Sequence, residues 1–293
     1  MDKSLKLFLK FIALSVIMAV IWMISMIIGV GLFGVDASAS QEGSINGMLL
    51  LFLAAAINTA VIYALIIKSR WHGWKLVGAI SFVIFSVQFF MTQIETVYFN
   101  ESLSLPANLI YAVVFGGIIL AISFSIIAVK LLGKWKKGTK EDNEKMSFNT
   151  DFILKIIILA AIIYPILYFT AGYFIAWQLP ELRILYSGSD AILPFFEHYK
   201  LTFQADHLFY PFQIFRGFLW IGIAMVIMKF LKKGWKTKAF LVGITFALIM
   251  NAQHLLLNPY MPRGVQLYHF IETATSNFIW GFVIVWFLEG KKR

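Results

Sequence analysis

Residues 11–33 read FIALSVIMAVIWMISMIIGVGLF, an apolar run that contains no charged side chain. A helix needs about 20 such residues to cross the hydrocarbon core of a bilayer. Because lipid offers the backbone no hydrogen-bond partner, such a run must satisfy its own peptide groups by forming a helix. Seven further runs of this kind lie near residues 47–67, 76–99, 107–130, 152–177, 208–231, 239–257 and 266–288. The sequence therefore predicts an all-α, polytopic transmembrane helical bundle of about eight helices.

The composition of the 293-residue chain fits a membrane protein and excludes several other classes. Hydrophobic residues make up 60% and charged residues only 14%, whereas about a quarter of the residues of a soluble domain are charged. The absence of cysteine excludes disulfides, thiolate metal ligands and a cysteine nucleophile. No HExxH, GxSxG or Walker A motif is present. We expect the lipid bilayer and a small-molecule, ion or lipid ligand as partners, and the sequence identifies no cofactor.

The net charge of +10 comes from basic clusters between the apolar runs, which are typical of membrane-facing loops and not of a nucleic-acid partner. If the N-terminus is inside, almost all of the 25 basic residues fall in cytoplasmic segments; the exceptions are Arg183, Lys200, Arg216 and Arg263. The positive-inside rule thus predicts cytoplasmic N- and C-termini. The Ile-, Phe- and Lys-rich usage and the short loops indicate an integral protein of a bacterial plasma (inner) membrane.

The N-terminal region also admits an interpretation as a signal peptide. Residues 1–10 are basic, and Ala37-Ser38-Ala39 resembles a signal-peptidase site. The apolar run between these two elements is longer than the usual hydrophobic region of a signal peptide. We therefore expect an intact first helix, with Met1 in the cytoplasm.

Short matching elements indicate an internal repeat. In the register that they set, Gln88 matches Gln253. They predict two four-helix halves of parallel orientation, residues 1–138 and 139–293, an arrangement found in many transporters. The alternative is that equivalent loops obey the same topology rules. The matching elements are Gly73-Trp74-Lys75 with Gly234-Trp235-Lys236, and Leu76-Val77-Gly78 with Leu241-Val242-Gly243.

Polar residues recur at helical spacing on four of the apolar runs. They are Gln88, Thr92 and Glu95 on the third, Gln213 and Arg216 on the sixth, Asn251, His254 and Asn258 on the seventh, and His269, Glu272, Ser276 and Asn277 on the eighth. At about 1.5 Å of rise per residue, the ionisable members lie between the outer interface and the midplane. Ionisable groups in lipid are costly unless paired or hydrated. The four faces are therefore expected to converge on one polar cavity that opens to the outside.

Two interpretations of these residues stay open. As a ligand site, the substrate-binding residues would be Gln88, Glu95, Gln213, Arg216, Asn251, His254, His269, Glu272 and Asn277. As structural elements, Arg216 would form a buried ion pair with Glu272 or Glu95, and the amides would join neighbouring helices.

His254 and His269 flank one short outer loop, so their rings are expected at similar depth on adjacent antiparallel helices. Neutral imidazoles in this arrangement could bind a metal, with Glu272 or Glu95 as a third ligand. They could also relay protons, ligate a haem or serve packing alone. The sequence does not choose among these roles.

The leading functional hypothesis is a transporter or permease-like protein with a polar site between the halves, open to the outside. The alternative is an intramembrane enzyme that acts on a lipid or lipid-linked substrate. In the enzyme, His269 or His254 would be the general base, Glu272 would orient it, and Arg216 would hold a phosphate or carboxylate.

Two further features bear on the site. The outer segment 178–207 is long enough to be a lid, with a solvated connector as the alternative. Pro165 lies in the middle of the fifth apolar run, where it predicts a kink.

Overall fold

The computed structural model describes residues 2–36, 45–136, 148–232 and 234–290. The helices in these ranges that are long and apolar enough to cross a membrane are α1 (Ser4–Phe33), α2 (Ile45–Lys68), α3 (Gly73–Tyr98), α4 (Ala107–Leu131), α5 (Thr150–Gln178), α6 (Phe209–Phe230), α7 (Trp235–Leu255) and α8 (Arg263–Glu289). The prediction of an all-α bundle of about eight such helices is confirmed. The protein is a multi-pass membrane protein. The signal-peptidase motif at 37–39 lies outside the described residues.

The bundle has two distinct ends. At the basic end, the connection 69–72 lies against residues 231 and 232. At the opposite, loop end lies the segment 179–208, which folds into two short helices, Pro180–Ser187 and Phe195–Ala205. The segment predicted as a lid is therefore largely helical.

Helix packing divides the bundle into two groups with the same order of contacts. In the first group, α1 packs against α2 and α4, and α4 packs against α3. In the second group, α5 packs against α6 and α8, and α8 packs against α7. The groups meet where α2 contacts α7 and where α3 contacts α6. The halves 1–138 and 139–293 stay a prediction, and their boundary lies outside the described residues.

Three of the long helices contain a π-turn. These turns are Phe85–Phe90 in α3, Leu159–Ile163 in α5 and Thr245–Ile249 in α7. A π-turn is rare in a helix and is frequently found at functional sites. In α3 and α7 the turn directly precedes the segment that carries Glu95 or His254.

Pro165 lies just after the π-turn of α5. A proline has no N–H to donate to the carbonyl four residues earlier, which here belongs to Ala161. That carbonyl oxygen instead accepts a hydrogen bond of 2.7 Å from the Tyr210 hydroxyl of α6. The irregular turn of α5 is thus tied to the neighbouring helix.

Glycines allow two pairs of helices to approach closely. A Cβ atom added at Gly281 of α8 would lie 2.8 Å from the Cα of Gly243 on α7. A Cβ atom added at Gly116 of α4 would lie 2.8 Å from the Ser25 carbonyl oxygen of α1. Small residues at such contacts give dense van der Waals packing, which is a main source of helix association in lipid.

The two connections at the basic end are joined by an isolated antiparallel bridge between Ser69 and Leu231. The Arg70 backbone N–H donates to the Phe230 carbonyl at 2.7 Å, and a second backbone bond of 3.2 Å lies on the other side of the bridge. The Arg70 guanidinium also donates to the Leu231 carbonyl, at 2.8 Å and 3.2 Å. The ends of α2 and α6, which hold equivalent places in the two groups, are therefore tied together.

Candidate functional site

An ion pair between α3 and α6 lies at the centre of the candidate site. Arg216 Nη1 and Nη2 donate to the two carboxylate oxygens of Glu95 at 2.9 Å and 2.6 Å. The Arg216 side chain is 3% exposed, whereas that of Glu95 is 24% exposed. A bidentate pair of this kind is both strong and geometrically specific. It joins the first group of helices to the second, and the carboxylate is its more accessible member.

Three further side chains surround the guanidinium of Arg216. Gln213 Oε1 accepts a hydrogen bond of 3.0 Å from Nη1. The rings of Tyr168 and Phe212 have their centroids 5.4 Å and 5.8 Å from Cζ, within the range of cation–π attraction. The Tyr168 hydroxyl donates to Glu95 at 3.3 Å. Helix α5, which carries Tyr168, thus belongs to the site together with α3 and α6.

A second polar group surrounds His269 on α8. Its Nδ1 lies 3.4 Å from a carboxylate oxygen of Glu272, and its Nε2 lies 3.3 Å from the Tyr186 hydroxyl. The ring of His254, on α7, stacks beside it with 6.2 Å between centroids. The His269 side chain is 20% exposed and that of Glu272 is 6% exposed. The imidazole is therefore accessible, while its carboxylate partner is buried.

Tyr186 lies in the loop helix Pro180–Ser187, and its hydroxyl is affected by charges of both polar groups. Burial, and then the negative charges of Glu95 and Glu272, raise the pKa of its hydroxyl well above the usual range. Both carboxylates thus act on one hydroxyl, which stays protonated. Through its contact with His269, Tyr186 joins the loop helix to the His269 group.

Two of the predicted amides hold α7 against α8. Asn251 accepts a short hydrogen bond from the Thr273 hydroxyl and donates to the Ala247 carbonyl at 2.8 Å. The amide nitrogen of Asn277 lies 3.1 Å from the sulfur of Met250. Asn251 and Asn277 therefore have interhelical partners of their own.

A ladder of neutral polar contacts continues from Glu95 toward the basic end. Thr92 Oγ1 accepts from Gln253 Nε2 at 3.0 Å, which ties α3 to α7. About two turns from Glu95, Gln88 Oε1 accepts from Asn58 Nδ2 of α2 at 3.0 Å. Gln88 thus lies outside the direct contacts of the ion pair.

The loop end covers this region with aromatic side chains. The Tyr98 ring stacks on Phe212 with 3.9 Å between centroids, and its hydroxyl donates a short hydrogen bond to Asp206. The Tyr199 hydroxyl donates to the Phe169 carbonyl at 2.7 Å. These contacts fix the loop segment to α3 and α5, and they pack α3 against α6.

Sequence reasoning named the ionisable residues of the candidate site but not their aromatic partners. It left Arg216 with two possible carboxylates, and the structure pairs it with Glu95. Tyr168, Tyr186 and Phe212 were missed because 17% of the residues are aromatic, so no single ring stands out. The one available signal was the i, i+4 spacing of Phe212 and Arg216, which puts them on one helix face.

The metal hypothesis receives no support from the geometry. In the part of the chain that the structure describes, no group of three or more His, Asp or Glu side chains is placed to hold a metal ion. His254 and His269 stack, and only His269 has Glu272 as a direct partner.

Comparison with known proteins found no family profile, curated protein or solved structure that matches this chain. The functional inference therefore rests on the geometry of the site.

Proposed function

We propose that the protein is a transporter or permease-like protein whose ligand site is centred on the Glu95–Arg216 pair. The observation that carries this proposal is that the pair joins α3 of one helix group to α6 of the other. Transporters built from two repeated halves bind their ligand where the halves meet. The exposed carboxylate of Glu95 supplies an approach for the ligand.

The proposal includes two four-helix halves, 1–138 and 139–293. Its support is the shared order of helix contacts, in which each member of the first group has a counterpart four helices later. Two further features fit this order. Helices α3 and α7, which hold equivalent places in the two groups, each contain a π-turn. The bridge joins the ends of α2 and α6, which are also equivalent.

The proposal also assigns an orientation. The basic end faces the cytoplasm, in agreement with the positive-inside rule, and the loop end faces the outside of a plasma membrane. In this orientation the site lies in the outer half of the bilayer. Glu95 and His269 retain partial exposure, and the Ser69–Leu231 bridge joins the two helix groups at the cytoplasmic side.

Transport would follow if a ligand replaced the contact between Glu95 and Arg216 with its own contact to one of them. A ligand that binds Arg216 or Glu95 weakens the bond that holds α3 to α6, and so changes the contact between the halves. Each half is a packed unit, so it moves as a body. Rocking of one half against the other then separates Ser69 from Leu231 and opens the site to the cytoplasm.

An intramembrane enzyme acting on a lipid or lipid-linked substrate is the second candidate, and one set of contacts favours it. His269 is held by Glu272 at Nδ1 and faces Tyr186 at Nε2, which is the arrangement of an oriented general base. Arg216 would hold a phosphate or carboxylate of the substrate. Such an enzyme needs access from the outer leaflet only.

Sided labelling of single cysteines separates the two candidates. Because the chain has no cysteine, Thr92→Cys near the ion pair and Thr245→Cys, buried in α7 nearer the basic end, each carry one thiol. For a transporter, a membrane-impermeant maleimide reaches Thr92→Cys from both faces and Thr245→Cys from the cytoplasmic face. For an enzyme, only Thr92→Cys reacts, and only from outside. Glu197→Cys, exposed in the loop segment, is the control for sidedness.

A further inference from the structure

We propose that the second loop helix, Phe195–Ala205, docks on the membrane leaflet at the loop end, with the ring of Phe196 among the lipid chains. The partner of this surface is the lipid itself, in the region just below the headgroups. This inference goes beyond the proposed function, because it holds whether the protein transports a ligand or acts as an enzyme.

The second loop helix packs one of its faces against α5. The Tyr199 hydroxyl donates to the Phe169 carbonyl at 2.7 Å, and the rings of Phe203 and Phe169 lie 5.3 Å apart between centroids. Just before the helix, the Leu193 carbonyl accepts a hydrogen bond of 2.6 Å from the Tyr173 hydroxyl of α5. Phe169 lies more than two turns before the end of α5. The loop helix therefore lies alongside the final turns of a membrane-spanning helix.

An apolar stripe on α5 leads toward the loop helix. Ile166, Thr170 and Phe174 follow each other at intervals of four residues, so they lie on one face of α5, and all three are exposed. The Thr170 hydroxyl donates a short hydrogen bond to the Ile166 carbonyl within the helix, so this face is compatible with lipid. Exposed apolar side chains of a spanning helix face the hydrocarbon of the bilayer. The stripe marks a lipid-facing surface that extends to Phe174.

This lipid-facing surface continues onto the second loop helix. The ring of Phe174, which is 60% exposed, stacks on the ring of Phe195 with 5.4 Å between centroids and 11° between planes. The ring of Phe196 follows at 5.2 Å from that of Phe195, and Phe196 is 85% exposed. Exposure of so large an apolar ring to water is unfavourable, whereas aromatic residues are enriched where a protein meets the membrane interface. Lipid is therefore the partner that fits Phe196.

The polar residues of the second loop helix lie on a separate face. Glu197, Lys200 and Gln204 are exposed, and their spacings of three, four and seven residues put them on one face. A helix with separate polar and apolar faces lies in the plane of the membrane interface, with its apolar side chains about 5–10 Å deep. Glu197 and Lys200 carry opposite charges, so insertion of Phe196, and not attraction to charged headgroups, drives the docking.

Docking on lipid also holds the cover of the candidate site. The second loop helix leads directly into Asp206, whose carboxylate accepts the short hydrogen bond from the Tyr98 hydroxyl. Tyr98 follows Glu95 by three residues on α3, so the two lie about one helical turn apart. The membrane thus fixes the loop segment close to the Glu95–Arg216 pair.

Spin labels on single cysteines in lipid nanodiscs test the docking. The chain has no cysteine, so Phe196→Cys, Phe174→Cys and Glu197→Cys each carry one label. Relaxation of the label is measured with oxygen, which partitions into lipid, and with a water-soluble nickel chelate. We expect oxygen to be the stronger relaxant for Phe196→Cys, as for Phe174→Cys, the lipid-facing reference on α5. Glu197→Cys, on the polar face, is the control and should respond more strongly to the nickel chelate.

Two results would overturn the docking. Stronger relaxation of Phe196→Cys by the nickel chelate than by oxygen would place its side chain in water. Protection of Phe196→Cys from both agents, together with dipolar broadening between labels, would show that a second copy of the chain covers this surface.

Hydrogen exchange in nanodiscs tests whether the ring anchors the helix. Phe196→Ser changes an exposed side chain, so the bundle should remain folded. Because the variant loses part of the transfer free energy of a phenylalanine, we expect exchange of residues 197–205 to increase by about tenfold. Glu197→Gln, the control at the next residue, should leave their exchange unchanged. Equal exchange in Phe196→Ser and the unaltered protein would refute the anchoring role.

Discussion

Arg216 on α6 and Glu95 on α3 share two hydrogen bonds, of 2.9 Å and 2.6 Å, but differ in their access to solvent. Arginine does not lose its charge in a protein, so the buried guanidinium requires a negative partner. Glu95 is partly exposed, and in the proposed outward-open site water can solvate its carboxylate when it leaves the pair. Arg216 is therefore the fixed member of the pair, and Glu95 is the exchangeable one.

Removal of Glu95 is predicted to destabilise the fold more than removal of both charges. Glu95→Gln leaves the buried Arg216 without a counter-charge, and the free energy of unfolding should fall by about 3 kcal/mol. Adding Arg216→Gln to the Glu95→Gln variant removes the isolated charge and should restore much of the lost free energy of unfolding. Denaturant unfolding in detergent micelles measures both effects. A double variant as unstable as Glu95→Gln would contradict the ion-pair interpretation.

The matched control for this comparison is the pair of Lys155 and Asp151 on α5. Its nitrogen and oxygen lie 2.7 Å apart, but both side chains are more exposed than those of the buried pair. Exposed pairs contribute about 0–1 kcal/mol. Asp151→Asn is therefore expected to change the free energy of unfolding by less than about 1 kcal/mol.

Gly281→Ala is predicted to destabilise the α7–α8 contact. The added methyl would lie 2.8 Å from the Cα of Gly243, so the two helices must separate, at a cost of about 1–3 kcal/mol. Gly222→Ala on α6 is the control, because no atom lies within 4 Å of its added Cβ and alanine favours a helix. Thermal unfolding should show a lower midpoint for Gly281→Ala and no decrease for Gly222→Ala. Equal midpoints for the two variants would refute the close contact.

The loop end is predicted to loosen in acid because of His198. Burial lowers the pKa of this imidazole, whose ring lies 4.6 Å from that of Trp177 between centroids. A detached loop binds the proton more readily than the docked loop. The stabilisation is therefore complete above about pH 6.5, the ordinary value, and decreases as the pH falls below it. Hydrogen exchange of residues 195–205, corrected for its intrinsic pH dependence, measures the change.

Two histidine variants assign this pH effect. His198→Phe keeps an aromatic ring but cannot be protonated, and it should remove the pH dependence of exchange in residues 195–205. His207→Gln changes an exposed histidine whose ring lies against the Phe203 carbonyl of its own turn, and it should retain the effect. A pH dependence that survives in His198→Phe would assign the loosening to another group.

The helical spans could be predicted because membrane insertion depends on length and hydropathy, both of which are properties of the sequence. The first span was predicted at 11–33 and α1 ends at Phe33, whereas its start lies at Ser4. The first two turns carry Lys6 and Lys10, and their charges lower the local hydropathy, so the apolar run of the sequence did not include these turns. Charged residues near a helix end stay helical because their side chains extend to the interface.

The choice between Glu95 and Glu272 as the partner of Arg216 could not be made from the sequence. Both carboxylates lie at a similar depth, and the choice depends on how α3 and α8 rotate relative to α6. The π-turn at Phe85–Phe90 changes the face of α3 that follows it, and nothing in the residue pattern signals that turn. Tyr186 was also out of reach, because a loop segment brings it to His269.

The distance between Lys75 and Lys236 at the basic end is the most direct test of access from two sides. Both residues are exposed in the first turns of α3 and α7, and cysteines at both sites accept spin labels in a chain without other thiols. Lys75→Cys with Lys130→Cys, two exposed sites within one helix group, is the control and should give one distance. Alternating access predicts a second, longer Lys75–Lys236 distance by pulsed electron resonance in nanodiscs. Arg70→Ala, which removes two hydrogen bonds to Leu231, should increase that population. A single narrow distance, unchanged in Arg70→Ala, would contradict transport.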